Sequence, residues 1–199
     1  MLYRKVVACF CAHKLMMIYL FLAPGFEEVE ALTPADYLRR CELELKLVGV
    51  GGKHITGSHG ITVTCDITAE EAAAAAAGQL PEMVILPGGM PGTRNLEQSE
   101  TVTKMIRDCY QAGKKIAAIC AAPSVLGHMG LLNGKRAVCF PGFEQELSGA
   151  EIASGPVVTD GNIITSKGAG TANQFAVALV ASLLGQERAD SLKAVLQWE

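Results

Sequence analysis

Short apolar runs alternate with longer helix-compatible segments along most of the chain. The runs are rich in β-branched residues, which is typical of strands buried on both faces of a parallel sheet. They occupy residues 17–22, 43–50, 83–86, 115–119 and 137–140. The helix-compatible segments occupy residues 27–40, 68–77, 99–112, 121–129, 171–184 and 187–198. This alternation predicts an α/β fold, a three-layer sandwich in which helices cover both faces of a mostly parallel sheet.

Signals at the ends of these elements refine the prediction. Thr68 and Thr171 are each expected to cap the helix that follows, because a hydroxyl can accept a bond from a free N–H of the first turn. Pro34 is expected to bend or interrupt the first long helix, since proline has no N–H to donate. Turn residues at 57–60 and 160–161 predict two β-hairpins.

The first residues do not continue this pattern. Two basic residues precede a short apolar run, which a His-Lys pair then interrupts. The run is too short to cross a membrane, and it lacks the cleavage site of a signal peptide. We expect residues 1–16 to form an extension outside the fold, with Met16 or Met17 as the true start, and residues 17–199 to form a single domain.

Composition narrows the class of protein. The chain has 199 residues, half of them apolar, and a formal net charge of −3, which excludes a disordered chain and a basic nucleic-acid-binding surface. Seven cysteines without metal-type pairs argue against a disulfide framework and indicate a reducing, cytoplasmic context.

The C-x-C of Cys9 and Cys11 is a weak zinc signal, and no nucleotide-binding fingerprint is present. We expect no metal, no cofactor, no membrane span and no specific nucleic-acid partner.

Cys120 stands where the apolar run at residues 115–119 meets the helix-compatible segment at 121–129. A tight strand-to-helix turn lifts a side chain out of the carboxyl edge of a sheet and points it at the helix N-terminus. The positive end of the helix dipole favours a thiolate, so the pattern predicts a nucleophile elbow with a lowered cysteine pKa. A buried cysteine that acts as a small apolar core residue is equally compatible with this stretch alone.

Two glycines follow another predicted strand. Ligands bind outside the carboxyl ends of parallel strands, and Gly88 and Gly89 come directly after the strand at residues 83–86. Backbone amides without side-chain obstruction could stabilise an oxyanion there. The same glycines are equally typical of a simple turn.

Acidic residues follow the first strand, at Glu27, Glu28 and Glu30. Acids commonly occupy the first turn of a helix because they suit its dipole. Glu30 differs in having apolar neighbours, so burial beside Cys120 would raise its pKa and let it carry a proton. If the three strands are neighbours, a thiol, a carboxylate and free amides converge, as addition to a carbonyl requires.

The histidines give weaker signals. His59 lies in a predicted hairpin and is typical of an exposed loop tip. His128 falls late in the helix after Cys120 and is expected to point away from it. His13 and His54 have no neighbours that indicate a site.

Four stretches, FLAPGFEEVEALTPADYLRR, VILPGG, AAICAAPSVL and ITSKGAGT, occur in this order along the chain. From residue 17 onward the chain thereby resembles the ThiJ/PfpI superfamily, in the branch that contains the Parkinsonism-associated protein deglycase and the bacterial YajL-type proteins. The resemblance implies a flavodoxin-like fold and a homodimer.

The resemblance also implies roles for individual residues. Cys120 matches the family's oxidisable, nucleophilic elbow cysteine. Glu30 matches the glutamate that bonds this sulfur and carries a proton. Gly88, Gly89 and Ala121 match the positions whose backbone amides face the substrate oxygen.

Other pocket positions agree with the family pattern less closely. Glu27 stands where a second acid lines the pocket, and His59 takes a position that is often arginine. Ala121 stands where the protease-like branch has histidine, which argues against a Cys-His protease. Phe140 stands where some relatives have a histidine next to the cysteine, so Glu30 is left as the acid/base group.

The activity that the resemblance implies is that of a cofactor-independent glyoxalase or protein deglycase. Its substrates would be methylglyoxal-like dicarbonyls, or their early adducts with amines and thiols, including glycated proteins. Cys120 would attack the aldehyde, Glu30 would move a proton between adjacent carbons, and water would release a 2-hydroxy acid. The alternative is a non-enzymatic oxidative-stress sensor and holdase chaperone that uses the same oxidisable cysteine. The two functions share every residue, and catalytic turnover distinguishes them.

Overall fold

The computed structural model describes residues 16–198. The strands are β1 (Met17–Leu22), β2 (Glu44–Gly49), β3 (His54–Thr56), β4 (Thr62–Thr64), β5 (Ile67–Thr68), β6 (Met83–Leu86), β7 (Lys115–Ile119), β8 (Arg136–Ala137), β9 (Glu151–Ile152), β10 (Val157–Asp160) and β11 (Ile163–Ser166). The helices are α1 (Glu28–Arg40), α2 (Ala69–Ala76), α3 (Gly92–Gln98), α4 (Glu100–Gln111), α5 (Pro123–His128), α6 (Ala172–Leu184) and α7 (Gln186–Val195). Single 3-10 turns lie at Glu144–Glu146 and Ala169–Thr171.

A seven-stranded sheet in the order β10-β11-β7-β6-β1-β2-β5 organises the described residues. All of its pairings are parallel except that of β10 with β11, which form a hairpin. Strand β6 lies between β1 and β7, so the carboxyl ends of these three strands are adjacent. This order brings together the segments that follow each of them.

Each central strand is buried on both faces because its alternate side chains enter two different cores. In β1, Ile18 and Leu20 pack with residues of α1, α6 and α7. Tyr19 and Phe21 point to the opposite face and pack with residues of α2, α4 and α5. Full burial of one large apolar side chain contributes about 1.5–3 kcal/mol. The mostly parallel sheet with helices on both faces, predicted from the alternation of runs, is therefore confirmed.

Several local predictions are confirmed as well. Thr68 caps α2 in a capping box with Glu71, and the two hairpins form at β3–β4 and β10–β11. The pattern does not predict α3, which has one strongly apolar residue, Leu96, and no side-chain cap at its start. Among residues 16–198, none of the helices is both long and apolar enough to cross a bilayer.

Two local predictions and part of a third are wrong. Helix α1 is not interrupted at Pro34, which is buried in its packed face. The Thr171 hydroxyl accepts a bond from the amide of Gly168 at 3.1 Å instead of capping α6. Strand β8 ends at Ala137, because the next amide, that of Val138, donates to the hydroxyl of Thr165. Of the predicted N-terminal extension, residues 1–15 lie outside the described residues.

His128, at the end of α5, is held between carboxylates of two other segments. Its Nδ1 lies 2.6 Å from Oε1 of Glu97 in α3, and its Nε2 lies 2.8 Å from Oε2 of Glu146 in a 3-10 turn. Both ring nitrogens can donate only when the imidazole is protonated. The bonds to Glu97 and then Glu146 raise the pKa of His128, while partial burial opposes the rise.

This arrangement predicts a pH-dependent contribution to stability. Because the pKa of His128 is raised by folding, its contribution is complete below the unfolded pKa of about 6.5 and is lost as pH rises through the folded value. The difference in Tm between the native protein and His128→Gln should therefore be large near pH 6 and shrink toward pH 9. Thermal unfolding followed by circular dichroism measures this difference.

A matched control is His54→Gln, since the ring of His54 bonds the hydroxyl of Thr64 and not a carboxylate. Its Tm difference from the native protein should change little over the same pH range. A His128→Gln difference that stayed constant from pH 6 to pH 9 would show that the two carboxylates do not stabilise a charged imidazole.

Candidate active site

Three segments meet at the carboxyl edge of the central sheet. The start of α1 follows β1, Gly88 and Gly89 follow β6, and Cys120 follows β7. Their proximity is direct: a side chain on Gly88 would place its Cβ 2.6 Å from the Cβ of Cys120 and 2.6 Å from Oε2 of Glu30. Only glycine therefore fits at position 88. A simple turn would not impose this requirement, so the interpretation of Gly88 as a turn residue alone is insufficient.

Cys120 has a left-handed backbone conformation, with a φ of 65°. Such a conformation costs a non-glycine residue about 1–3 kcal/mol and persists only where its surroundings enforce it. Here the amide of Cys120 donates to the carbonyl of Ser166 at 2.9 Å, and its carbonyl accepts from the amide of Phe140 at 2.8 Å. These two bonds fix the turn from β7 toward α5, and the cysteine side chain is partly exposed.

Glu30 is a buried carboxyl group in contact with the thiol. Its side chain is among the most buried polar groups of the protein, with 1% of its surface exposed. Oε2 accepts a hydrogen bond from the amide of Gly88 at 2.9 Å. Burial raises the pKa of Glu30 to about 7; the charge of Glu27 adds to the rise, and hydrogen bonds from Cys120, Gly88 and Ala169 oppose it. The prediction that Glu30 has a raised pKa is confirmed.

The prediction of a lowered pKa for Cys120 is wrong. Burial, then the charge of Glu30 and the hydrogen bond with it, together raise the pKa of its thiol to about 12. The amides of Gly89 and Ala121 lower the pKa, but by less. The local positive field that the sequence predicts is therefore present, and it is outweighed by a nearby carboxylate in a poorly solvated site.

The three amides expected to face a substrate oxygen have different partners. The Gly88 amide is occupied by the Glu30 carboxylate, so it serves to hold the acid in place. The amides of Gly89 and Ala121 lie close enough to the Cys120 sulfur to lower the pKa of its thiol. These two donors can stabilise negative charge on the sulfur or on an oxygen bound next to it.

Glu27 and His59 lie beside this pair. Glu27 caps α1, where Oε2 accepts from the amide of Glu30 at 2.7 Å. His59 is exposed and bonds Glu28 through Nδ1 at 2.9 Å. Burial raises the pKa of Glu28, but the bonds from His59 and from the amide of Ile61 outweigh it and leave that pKa lowered. The same bond and the charge of Glu28 raise the pKa of His59.

Glu27, Glu28 and His59 could together provide three ligands to a metal ion. One ligand atom from each of Glu27, Glu28 and His59 lies within 4.8 Å of the others. Their hydrogen bonds already account for the arrangement: Glu27 caps a helix, and Glu28 ties the β3–β4 hairpin to α1.

Sequence reasoning missed the structural importance of Glu28 and Gly168. Three acids in one helical turn gave no sign of which would be buried, and Glu28 proves to anchor the hairpin that carries His59. Gly168 comes from the ITSKGAGT stretch after β11; a Cβ on it would lie 3.7 Å from Oε1 of Glu30. The stretch contributes to the family resemblance, but nothing in the sequence alone places it at the site.

Comparison with known proteins agrees with this fold. A model of the DJ-1/PfpI family matches residues 16–182. Protein dj-1beta of Drosophila melanogaster is 35% identical over 170 residues, which cover 84% of this chain and 89% of the relative. A deglycase of Pyrococcus abyssi is 30% identical over 154 residues, which cover 76% of this chain and 90% of the relative.

Solved structures give the same result. A DJ-1 superfamily protein from Salmonella typhimurium, crystallised as a cysteine-to-alanine mutant, superposes with a TM-score of 0.87 at 32% identity, covering 93% of this chain and all of the other. Oxidised DJ-1 of Toxoplasma gondii superposes with a TM-score of 0.86 at 31% identity, covering 92% and 98% of the two chains. The chain belongs to the DJ-1/PfpI family and has its flavodoxin-like α/β fold.

The contact between Cys120 and Glu30 predicts an unusual pH dependence for thiol alkylation. Strongly interacting groups lose their protons as a pair, so loss of the first proton creates an anion that thiol and carboxyl share. The alkylation rate of Cys120 should therefore rise with an inflection near the pKa of Glu30, about 7, rather than near 12. Iodoacetamide labelling followed by mass spectrometry from pH 5 to pH 10 measures it.

Glu30→Gln provides the decisive comparison. Without a second titrating group, Cys120 titrates alone in a poorly solvated site, so the inflection should move to more alkaline pH. Cys109, which is fully buried, is an internal control and should label far more slowly in both proteins. An unchanged inflection in Glu30→Gln would show that the two groups titrate independently.

Proposed function

We propose that this protein is a cofactor-independent enzyme of the glyoxalase and deglycase type, acting on small α-oxoaldehydes or their early adducts. The observation that carries the proposal is the pair formed by Cys120 and Glu30. A partly exposed thiol lies against a buried carboxyl whose pKa is raised to about 7, where a group can both accept and donate a proton at neutral pH.

The first step joins the thiol to the aldehyde. Glu30 takes the thiol proton as sulfur attacks C1, so a C–S bond forms while the C=O π bond breaks. The proton then passes from Glu30 to the aldehyde oxygen and gives a hemithioacetal. The amides of Gly89 and Ala121, which lie beside the sulfur, can stabilise the negative charge that develops on the adjacent aldehyde oxygen before it is protonated.

The second step moves hydrogen between adjacent carbons. Glu30, again ionised, removes the proton from C1; the hydroxyl proton on C1 passes to the oxygen on C2, and Glu30 returns its proton to C2. C1 is thereby oxidised to a thioester and C2 is reduced to an alcohol, so no external redox partner is needed. Water cleaves the thioester, releases the 2-hydroxy acid and restores the thiol.

Early adducts of amines enter the same sequence. In an aminocarbinol, Cys120 displaces the amine from C1, and the amine leaves with the thiol proton. The product is the same hemithioacetal, so one site serves free dicarbonyls and glycated amines alike. The similarity to a protein named a deglycase supports this extension.

Removal of the acid/base group should lower turnover sharply. Glu30→Gln keeps the size and hydrogen-bonding capacity of the side chain but cannot titrate. Because a positioned acid/base group contributes about 10²–10⁴-fold, kcat for conversion of methylglyoxal to lactate should fall by that factor. Cys120→Ala should abolish turnover, and lactate quantification measures both effects.

Glu100→Gln is the matched control, since Glu100 is an exposed acid in the first turn of another helix, α4. It should retain the turnover and reduce stability by about 1 kcal/mol at most. Near-native kcat in Glu30→Gln would leave the proposed mechanism without its proton carrier.

A second candidate function is an oxidative-stress sensor and holdase chaperone. It is favoured by the partly exposed Cys120, because the two amides beside its sulfur can stabilise the negative charge of a sulfenate or sulfinate. The similarity to a DJ-1 solved in oxidised form supports it too. A sensor would be modified by methylglyoxal or peroxide only stoichiometrically, whereas the enzyme turns over in the reduced state. Either function requires a reduced thiol, for which a cytoplasmic location is suited.

We also propose that the chain forms a homodimer through the outer face of α1. Val29 and Leu32 lie one helical turn apart and are exposed, as is Ile61 in the β3–β4 hairpin. Glu28, which precedes Val29 in α1, accepts a bond from the amide of Ile61, and this bond holds the hairpin beside the start of the helix. A second copy of this face would bury all three apolar side chains by symmetry.

Analytical ultracentrifugation at micromolar concentration should therefore show twice the chain mass of 21.0 kDa. Val29→Arg should shift the protein to the monomer. In a two-fold symmetric interface the new arginines of the two copies would lie close together, and their like charges would repel each other. Val195→Arg, at an exposed position of α7, should leave the dimer intact. A native protein that sediments as a monomer would overturn the proposed assembly.

A further inference from the structure

Phe140 is an aromatic residue in an unusual position, since 47% of its surface is exposed next to the candidate active site. Its amide donates to the carbonyl of Cys120 at 2.8 Å, and its carbonyl accepts from the amide of Phe143 at 3.0 Å. Both backbone bonds fix the residue beside the elbow. The backbone therefore holds the exposed ring next to Cys120.

The ring faces the same small space as the acid. A Cβ placed on Gly168 would lie 3.3 Å from Cδ2 of Phe140 and 3.7 Å from Oε1 of Glu30. Because Gly168 has no side chain, the space between the aromatic ring and the carboxyl is left open. A substrate held by the thiol next to Glu30 can direct its other end at the ring.

The charges at the site restrict what that other end can be. Glu27 and Glu30 are close enough for the charge of Glu27 to act on Glu30. The Cys120–Glu30 pair adds a further negative charge once it has lost a proton. A substrate that carries a carboxylate is therefore repelled, while a neutral apolar group meets an exposed hydrocarbon surface.

We propose that Phe140 determines substrate specificity, and that the preferred substrates are neutral α-oxoaldehydes carrying an aromatic or bulky apolar group. The proposal rests on the proposed function, in which Cys120 adds to the aldehyde. The ring forms the apolar wall against which the substituent on C2 packs. Glyoxal, which has no such substituent, gains nothing from it.

Turnover of three substrates tests this specificity. For the native protein, kcat/KM should increase from glyoxal through methylglyoxal to phenylglyoxal. Apolar contacts of this size change specificity by about 10-fold or more, so Phe140→Ala should lose about that factor with phenylglyoxal and less than about 2-fold with glyoxal. Phe140→Leu should recover part of the loss, because leucine keeps an apolar surface.

Ile152→Ala is the matched control, since Ile152 is also 47% exposed and lies in β9. It should leave all three kcat/KM values unchanged. Equal losses for glyoxal and phenylglyoxal in Phe140→Ala would overturn the proposal and show that the ring only supports the elbow. Circular dichroism and the Tm of each variant show whether it folds. If Phe140→Ala does not fold, the ratio of kcat/KM for phenylglyoxal to that for glyoxal in Phe140→Leu tests the proposal instead.

A second readout does not depend on turnover. It separates the proposed apolar wall at Phe140 from the proposed enzyme activity. Alkylation of Cys120 by phenacyl bromide, a neutral aromatic reagent, should slow about 10-fold in Phe140→Ala, while alkylation by iodoacetamide should change little. Iodoacetate, which carries a carboxylate, should react more slowly than iodoacetamide with both proteins. Absence of turnover with this aromatic preference intact would refute the enzyme but retain the apolar wall. Loss of the preference in the presence of turnover would refute the wall alone.

Discussion

The candidate site depends on the burial of one carboxyl group against one thiol. Glu30 has almost no contact with solvent, and its Oε2 accepts a hydrogen bond from the amide of Gly88. Burial raises the pKa of both groups. Hydrogen bonds from Cys120, Gly88 and Ala169 oppose that rise at Glu30, whose pKa is about 7. The chemistry therefore arises from a balance between desolvation and a few amides, and not from a thiol made acidic by a helix.

The geometry that maintains this balance comes from two backbone constraints. Gly88 has no room for a side chain between the thiol and the acid, and Cys120 is held in a left-handed conformation by bonds to the backbone at Ser166 and Phe140. Both constraints depend on the order of β1, β6 and β7 in the sheet. A change that displaced β6 would separate the acid from the thiol even if neither residue were altered.

The fold was largely predictable because parallel strands and their helices leave clear patterns of apolar residues. Local patterns also indicated the elbow at Cys120 and the unusual apolar surroundings of Glu30. The thiol pKa was not predictable, since it depends on how far a carboxylate 90 positions away in the sequence is desolvated beside it, a property of three-dimensional packing. The role of Glu28 was hidden for the same reason: its partners, at His59 and Ile61, come from a distant hairpin.

The bond between Cys120 and Phe140 joins only backbone atoms, the carbonyl of one and the amide of the other. Any residue except proline can supply that amide, so the elbow does not depend on which side chain occupies position 140. In the proposed enzyme, the backbone that holds the sulfur would thus be mechanically separate from the ring that would meet the substrate. Such an enzyme could change its substrate preference by a single substitution without any change in its reaction mechanism.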